Sequence, residues 1–260
     1  MTPKRYFTDS EEEEIAKIYR AGYSIHQIAR AYQRGTSGVI SCAIRRQGVI
    51  RRQFRFVHHR DSTIFHNIDT EEKAYWLGFL YADGCTRKSL IQLSLSSRDL
   101  DHVQRFAHFI GDAPCSVKKS GYKDFLKATA TIYDMEMANS LRALGIVTHR
   151  PDYTAAINNI PSNLLHHFLR GNFDGDGCAT NDGPSLLFCG KRPFITFVRD
   201  YMAQCVHTNP QLTIRDNVRS KKTSYLSFRR RIQALKVADY LYQDATVFLK
   251  RKKEIVDSWR

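Results

Sequence analysis

The sequence predicts an α+β protein, a duplicated helix-and-strand half preceded by a small all-α module. Three observations carry this. Two similar stretches, Trp76-Leu77-Gly78-Phe79-Leu80-Tyr81-Ala82-Asp83-Gly84 and Leu169-Arg170-Gly171-Asn172-Phe173-Asp174-Gly175-Asp176-Gly177, each read as the end of a helix closed by Asp-Gly. Behind each come alternating apolar and polar runs of strand length, separated by helical patterns. Ahead of the first, residues 8–50 show helical periodicity throughout.

The N-terminal module, residues 1–50, contains three helices. Thr8, Asp9 or Ser10 caps the first, and Glu11 to Glu14 fill its opening turn, where the helix dipole favours negative charge. Ile15, Ile18 and Tyr19 supply its apolar face, and Ala21-Gly22 ends it. Ser24 caps the second, with Ile25, Ile28, Ala29 and Tyr32 on one stripe. After the turn Gln33-Arg34-Gly35-Thr36, a third helix runs from about Ser37 to Gln47, turning Val39, Ile40, Ala43 and Ile44 inward. Helix, short Gly-containing turn, helix is the cadence of a helix-turn-helix, and it resembles the small domain of resolvases and transposases. Ser37, Ser41, Arg45 and Arg46 then lie toward the outer face of the reading helix. The alternative is a three-helix bundle that binds protein. A basic linker, residues 51–69, follows. Its Arg51, Arg52, Arg55 and Arg60 are interleaved with Phe54, Phe56, His58 and His59, which suits an arm that tracks phosphates. A solvated linker is the plainer reading.

The first repeat is expected over residues 70–150. Its motif helix opens after Asp69-Thr70, carries Glu71 and Glu72 in its first turn and stops at Gly84. From Leu90 to Ser96, Ile91, Leu93 and Leu95 alternate with Gln92, Ser94 and Ser96, the pattern of a half-buried strand. A helix from about Asp99 to Ile110 turns Val103, Phe106 and Phe109 inward. Cys115 to Lys119 is strand-like, Leu126 to Ile132 alternates cleanly, and Met135 to Leu144 is a helix ended by Gly145.

The second repeat, residues 151–260, has its motif helix from His166 to Asp176. Strand-like Ser185 to Cys189 and helical Phe194 to Cys205 follow. Gln211 to Arg215 and Tyr225 to Ile232 read as strands, and Ala234 to Gln243 and Thr246 to Trp259 as helices. Matching Ala138 and Leu141 to Ala238 and Leu241 sets Lys127, Thr129 and Thr131 opposite Ser227, Arg229 and Arg231. Each set shares one strand face, because side chains alternate. With Gln92, Ser94 and Arg215 beside them, these faces form a polar saddle, far more basic in the second repeat. A solvated sheet face is the alternative.

The chain has 260 residues, 42% of them hydrophobic, and a formal net charge of +14. That length holds one large domain or two smaller ones, and the charge points to a polyanion, nucleic acid before acidic membrane. No apolar run approaches the roughly 18 residues of a spanning helix, and Lys4 and Arg5 precede no apolar segment. No membrane partner and no signal peptide are expected. An intracellular location follows, in the cytoplasm or nucleoid of a bacterial or phage-infected host, or in an organelle. Cysteines 42, 85, 115, 178, 189 and 205 lack CxxC spacing and read as reduced thiols, not zinc ligands.

Gly78 and Ala82, like Gly171 and Gly175, are four apart and share a helix face. Small residues there let two helices meet backbone to backbone, bringing Asp83 and Asp176 together at one end. Paired carboxylates suit divalent ions and phosphodiester chemistry. Both stretches resemble the LAGLIDADG motif of homing endonucleases, the second closely and the first with aromatic substitutions. Tyr81 stands where the motif's first Asp would be, and Asn172 replaces an apolar residue. The resemblance covers about residues 65–260, including the closing run from Leu241 to Lys252. It implies a pseudo-two-fold αββαββα fold, repeated in one monomeric chain, whose antiparallel saddle binds double-stranded DNA and which breaks both strands. It implies two or more Mg²⁺ ions held by Asp83, Asp176, the carbonyls of Ala82 and Gly175, and the scissile phosphates. Lys127 and Arg229 are the candidate basic groups at the rim, with Lys118 and Lys222 behind them. Asp174 is expected to be structural.

Other readings remain open. A lone Asp-Gly is commonly a turn. Asp174-Gly175-Asp176-Gly177 suggests a calcium loop, but Cys178 stands where that loop needs another oxygen ligand. The same fold also serves maturases that bind intron RNA and transcription regulators. A recombinase lacks a supporting Ser or Tyr context. No splice-junction residues frame the chain, so an excised intein is not expected. The unequal strand faces predict that the two DNA strands are cut at different rates.

Overall fold

The computed structural model describes residues 6–21, 23, 25–33, 36–49, 61–119, 125–147, 152–218 and 223–260. The chain divides into two compact units, Met1–Val57 and His58–Arg260.

The first unit contains α1 (Asp9–Arg20), α2 (Ile25–Tyr32) and α3 (Ser37–Arg46). Thr8 caps α1: its side chain accepts from the Glu11 backbone N–H, while the Glu11 carboxylate reaches back to the Thr8 N–H at 2.8 Å. This reciprocal box satisfies two otherwise orphaned donors. Phe7, Ile15, Tyr19, Ile25, Ile28, Ile40, Ala43 and Ile44 form the core. Glu12 is fully buried and pairs with Arg46, tying α1 to α3. The expected Ser24 cap and most of the basic linker, including Arg51, Arg52 and Arg55, lie outside the described residues.

The second unit opens with α4 (Glu71–Asp83), β1 (Gly84–Arg87), β2 (Leu90–Ser96), α5 (Leu100–Phe109), β3 (Cys115–Lys119), β4 (Leu126–Tyr133), α6 (Met135–Ala143) and α7 (Tyr153–Asn159). It continues with α8 (Leu165–Asp176), β5 (Cys178–Ala179), β6 (Leu186–Gly190), α9 (Arg192–Val206), β7 (Arg215–Asp216), β8 (Ser224–Phe228), α10 (Arg231–Tyr242) and α11 (Lys250–Asp257). The sheets follow the same order, β1-β2-β4-β3 and β5-β6-β8-β7, with every pairing antiparallel. Each sheet buries one face. Ile91, Leu93, Ala128, Ala130 and Ile132 point inward in the first, and Leu186, Phe188, Leu226 and Phe228 in the second. One apolar core runs through both halves. At its centre α4 and α8 are buried on nearly every side; α4 is almost wholly apolar there, whereas α8 also buries His166, His167, Arg170, Asn172 and Asp174.

The structure corrects several expected boundaries. The strand expected from Tyr225 to Ile232 ends at Phe228, and α10 starts at Arg231. Leu226 and Phe228 alternate into the core, but Ile232 is 71% exposed, so the burial that sustains the strand stops before the arginines. The buried positions Ala128, Ala130 and Ile132 of β4 therefore match Ser224, Leu226 and Phe228 of β8. The outward counterparts of Lys127, Thr129 and Thr131 become Thr223, Tyr225 and Ser227, not Ser227, Arg229 and Arg231. The strand expected from Gln211 shrinks to Arg215–Asp216. Residues 246–249 precede α11 rather than starting it. Helix α7, only seven residues long, has no counterpart among the expected elements. Ala156 on α7 and Ile160 just past its end are buried.

Candidate active site and nucleic-acid interface

Helices α4 and α8 cross with their backbones in contact. A Cβ built on Gly78 would lie 1.9 Å from the Phe168 carbonyl oxygen, and one on Gly171 would lie 2.0 Å from that of Tyr75. The two contacts are reciprocal, since Tyr75 precedes Gly78 by the same interval as Phe168 precedes Gly171. The small residues of both motifs are thus consumed by one pseudo-symmetric crossing. At its end Ala82 and Gly175 face each other: a Cβ on Gly175 would come within 2.5 Å of the Ala82 methyl and 3.3 Å of Asp83 Oδ2.

Asp83 and Asp176 are the last residues of these helices, where each dipole presents its negative end. Both side chains reach solvent, although protein atoms crowd around them. Desolvation raises Asp83 above the usual carboxylate range, while Lys252 and Arg251 pull it back. Desolvation, then the charge of Asp83, pushes Asp176 up to about 7 against the pull of Lys252. Access to water screens this repulsion. It also leaves the pair open to an ion or a ligand.

Two cations beside the acids come from α11, and neither stands out in the sequence. Arg251 Nε donates to both oxygens of Asp99, at 3.0 and 3.2 Å. Lys252 is 3% exposed, and its ammonium donates to the carbonyls of Phe173 at 2.6 Å and of Gly177, with Gly175 at the outer limit, 3.4 Å. Burial brings its pKa down to about 8. A signal does exist: Leu249, Lys252 and Val256 form one buried helical stripe inside what reads as a solvated charge run.

Asp174 takes the expected structural role. Its carboxylate accepts from Tyr75 Oη at 2.9 Å, Tyr242 Oη at 2.7 Å and the Leu249 backbone N–H at 2.7 Å. Tyr75 spends its one proton there, so the His102 Nε2–H, 3.0 Å away, is the donor to the phenol oxygen. Arg170, fully buried, donates to Glu71 Oε1 at 2.6 Å and to the Val247 and Leu241 carbonyls. Glu71 also accepts from the backbone and hydroxyl of Thr246. This network fastens the start of α4 to the segment leading into α11, and so fixes where Arg251 and Lys252 stand.

The outer face of the first sheet is a polar ladder. Gln92 Nε2 donates to Thr131 Oγ1 at 3.1 Å, the hydroxyls of Ser94 and Thr129 meet at 2.8 Å, and Lys127 pairs across the strands with Ser96 and Lys118. Like charges directly opposite are unfavourable unless an anion lies over them. On the second sheet Arg215 is the strand partner of Tyr225. With Ser227, Arg229 and Arg230 they line a cleft of about 290 Å³.

Other expected site residues are placed differently. Arg229 lies just beyond β8, whereas Lys127 stands near the start of β4, so the pseudo-two-fold does not exchange them. Arg231 opens α10 and donates to the Trp259 carbonyl at 2.6 Å, away from the strand face. Arg215, Arg229 and Arg230 remain around the second strand face. In α3, Arg45 is exposed and Ser37 and Ser41 are half-buried, while Arg46 is held by Glu12. Lys222 lies outside the described residues.

Among the described residues, no group of three His, Cys, Asp or Glu side chains forms a metal cluster. The donors at the crossing are two carboxylates and neighbouring backbone carbonyls. They are all hard oxygens, a partial shell that suits Mg²⁺ completed by water or phosphate oxygens. The crowding that raises Asp176 is what such a cation would relieve. No helix is long and apolar enough to cross a membrane.

Compared with known proteins, the chain matches no family model and no curated protein. Solved structures do match it. The I-SmaMI LAGLIDADG homing endonuclease bound to cleaved DNA aligns with a TM-score of 0.47 and 11% identity, over 71% of this chain and 86% of that one. I-DmoI in complex with DNA and Ca aligns with a TM-score of 0.49 and 14% identity, over 69% and 89%. Meganuclease I-SmaMI bound to uncleaveable DNA aligns at 0.49 and 11%, over 72% and 88%.

Proposed function

We propose that this chain is a monomeric two-repeat endonuclease of the LAGLIDADG kind, which hydrolyses one phosphodiester in each strand of a specific duplex DNA site with Mg²⁺. The observation that carries the reading is the reciprocal crossing of α4 and α8, which sets Asp83 and Asp176 at adjoining helix ends between two matched antiparallel sheets.

Asp83 and Asp176, with the carbonyls of Ala82 and Gly175, would hold the ions. A bound divalent ion lowers the pKa of an attacking water and stabilises charge on the phosphate. The residues of the chain do the remainder. Gln92, Ser94, Thr129 and Lys127 on the first sheet, and Arg215, Tyr225 and Arg229 around the second, hold the phosphates and read base edges in the major groove. Lys127 and Arg229 carry positive charge at unequal places along the saddle. Helix α3, through Ser37, Ser41 and Arg45, extends the contacted site as a helix-turn-helix reader, with Arg51, Arg52 and Arg55 tracking the backbone.

The test is incubation of the protein with Mg²⁺ and a randomised duplex library, followed by sequencing of the new ends. A single family of sites cut in both strands supports the reading. Uncut DNA beside protein-dependent splicing of an intron RNA would replace it with the maturase, and tight binding without cutting or splicing would replace it with the regulator.

A further inference from the structure

On the outward faces of the two sheets, the residues just past the acids fall into matching rows. Cys85, two residues after Asp83, pairs across the strands with Gln92, and Gln92 pairs with Thr131. Cys178, two residues after Asp176, pairs with Leu187, and Leu187 pairs with Ser227. The repeat therefore matches Gln92 to Leu187 and Thr131 to Ser227. All four are half-buried and alternate with neighbours that point into the core. The two rows differ in chemistry. A glutamine amide has two N–H groups and one carbonyl oxygen. Gln92 spends one N–H on Thr131 Oγ1, at 3.1 Å. That bond fixes the amide plane and leaves the oxygen and the second N–H side by side. This pair complements the N6–H donor and N7 acceptor that adenine presents in the major groove. Leu187 has no polar group to offer. A half-exposed apolar side chain on that face suits the C5-methyl of thymine.

We propose that Gln92, held by Thr131, reads an adenine in the half-site under the first sheet, and that Leu187 meets a thymine methyl at the matching step of the other half-site. Thr131 is a positioning residue: it touches the amide of Gln92 and not the base. Its hydroxyl restrains a side chain that would otherwise lose rotamer freedom on binding, so the adenine contact forms at a lower entropic cost. Leu187 needs no such partner, because an apolar contact with a methyl group is not directional. The two halves of the target then differ in the functional group read at one matched step, a bidentate polar edge on one side and a methyl on the other.

This inference rests on the proposed reading of duplex DNA and is tested by binding, not by cutting. Randomised duplexes are selected on the full-length chain with Ca²⁺ in place of Mg²⁺, and the bound sequences are read. The wild type selects adenine at one step and thymine at a second, equally far from the centre of the site. Gln92→Leu inverts the first pair alone, from A·T to T·A, and Leu187→Gln inverts the second alone, each changing the preference by about tenfold. Thr131→Val flattens the adenine preference several-fold and keeps every other step, and Thr131→Ser restores it. A merely structural role would weaken all steps together. Where a variant does not fold, base analogues in the wild-type site decide. 7-Deazaadenine, which lacks N7, weakens binding at the first step, and deoxyuridine, which lacks the methyl, weakens it at the second. Selected sites left unchanged by Gln92→Leu and Leu187→Gln, or analogues without effect, overturn the inference and leave the DNA reading standing. Failure of the wild type to select any site overturns both.

Discussion

A single methyl group tests the crossing at the residue scale. Gly78 has no room for a Cβ, because the obstacle is the Phe168 carbonyl, which cannot move without shifting α8. Gly78→Ala is expected to cost about 3 kcal/mol or more in denaturant unfolding, beyond ordinary core overpacking. An unchanged midpoint would show that the helices do not meet there. Asp176 gives the opposite sign. Its folded pKa lies near 7, above the ordinary carboxylate value, so the native state loses stability as pH rises through that range. Asp176→Asn removes the repulsion and, in chelator, should raise stability at pH 8 by about 1 kcal/mol after allowance for solvent screening, with no gain at pH 4. Equal stability of the two proteins at pH 8 would contradict the crowding. The same substitution should remove cleavage, so the site is held at some expense to the fold.

Among elements, α5 and α8 each bury a neutral histidine. Burial pushes His102 down to about 3 and His167 to about 4, with nearby Arg105 and Arg251 adding to the first and Arg170 to the second. His167 Nδ1 lies 2.6 Å from the Arg170 guanidinium and serves it as an acceptor, a role lost on protonation. In the unfolded chain both take up protons near pH 6.5, so the stability they support is present above that pH and is lost as pH falls toward 4. His102→Gln cannot titrate and should lose less thermal stability than wild type between pH 7 and pH 5. Identical pH slopes would show that His102 is not held neutral. The strands illustrate why some elements are harder to read from sequence. Arg229, Arg230 and Arg231 prolong an alternation that looks like strand, yet the core ends at Phe228 and packing decides where pairing stops. Helix α7 has only seven residues, too few for a helical period to stand out.

Across the second unit, most of the architecture follows from local pattern. The small residues of both motifs, the alternating strands and the two Asp-Gly steps are enough to place the crossing, the sheets and the acid pair. Long-range partners are less legible. Only the stripe it shares with Leu249 and Val256 marks Lys252 as buried in a run of basic residues, and nothing local pairs Arg46 with Glu12, because that choice depends on which helix packs opposite. The corrected strand register also takes Arg231 off the second strand face and into the start of α10. The central claim, that Asp83 and Asp176 form one site with a strand assigned to each, is tested most directly by strand-resolved cleavage of the selected duplex with Mg²⁺. The wild type should cut both strands, each Asn variant should lose the double-strand break while still binding DNA, and the double variant should cut neither. Full cutting of both strands by the double variant would contradict it.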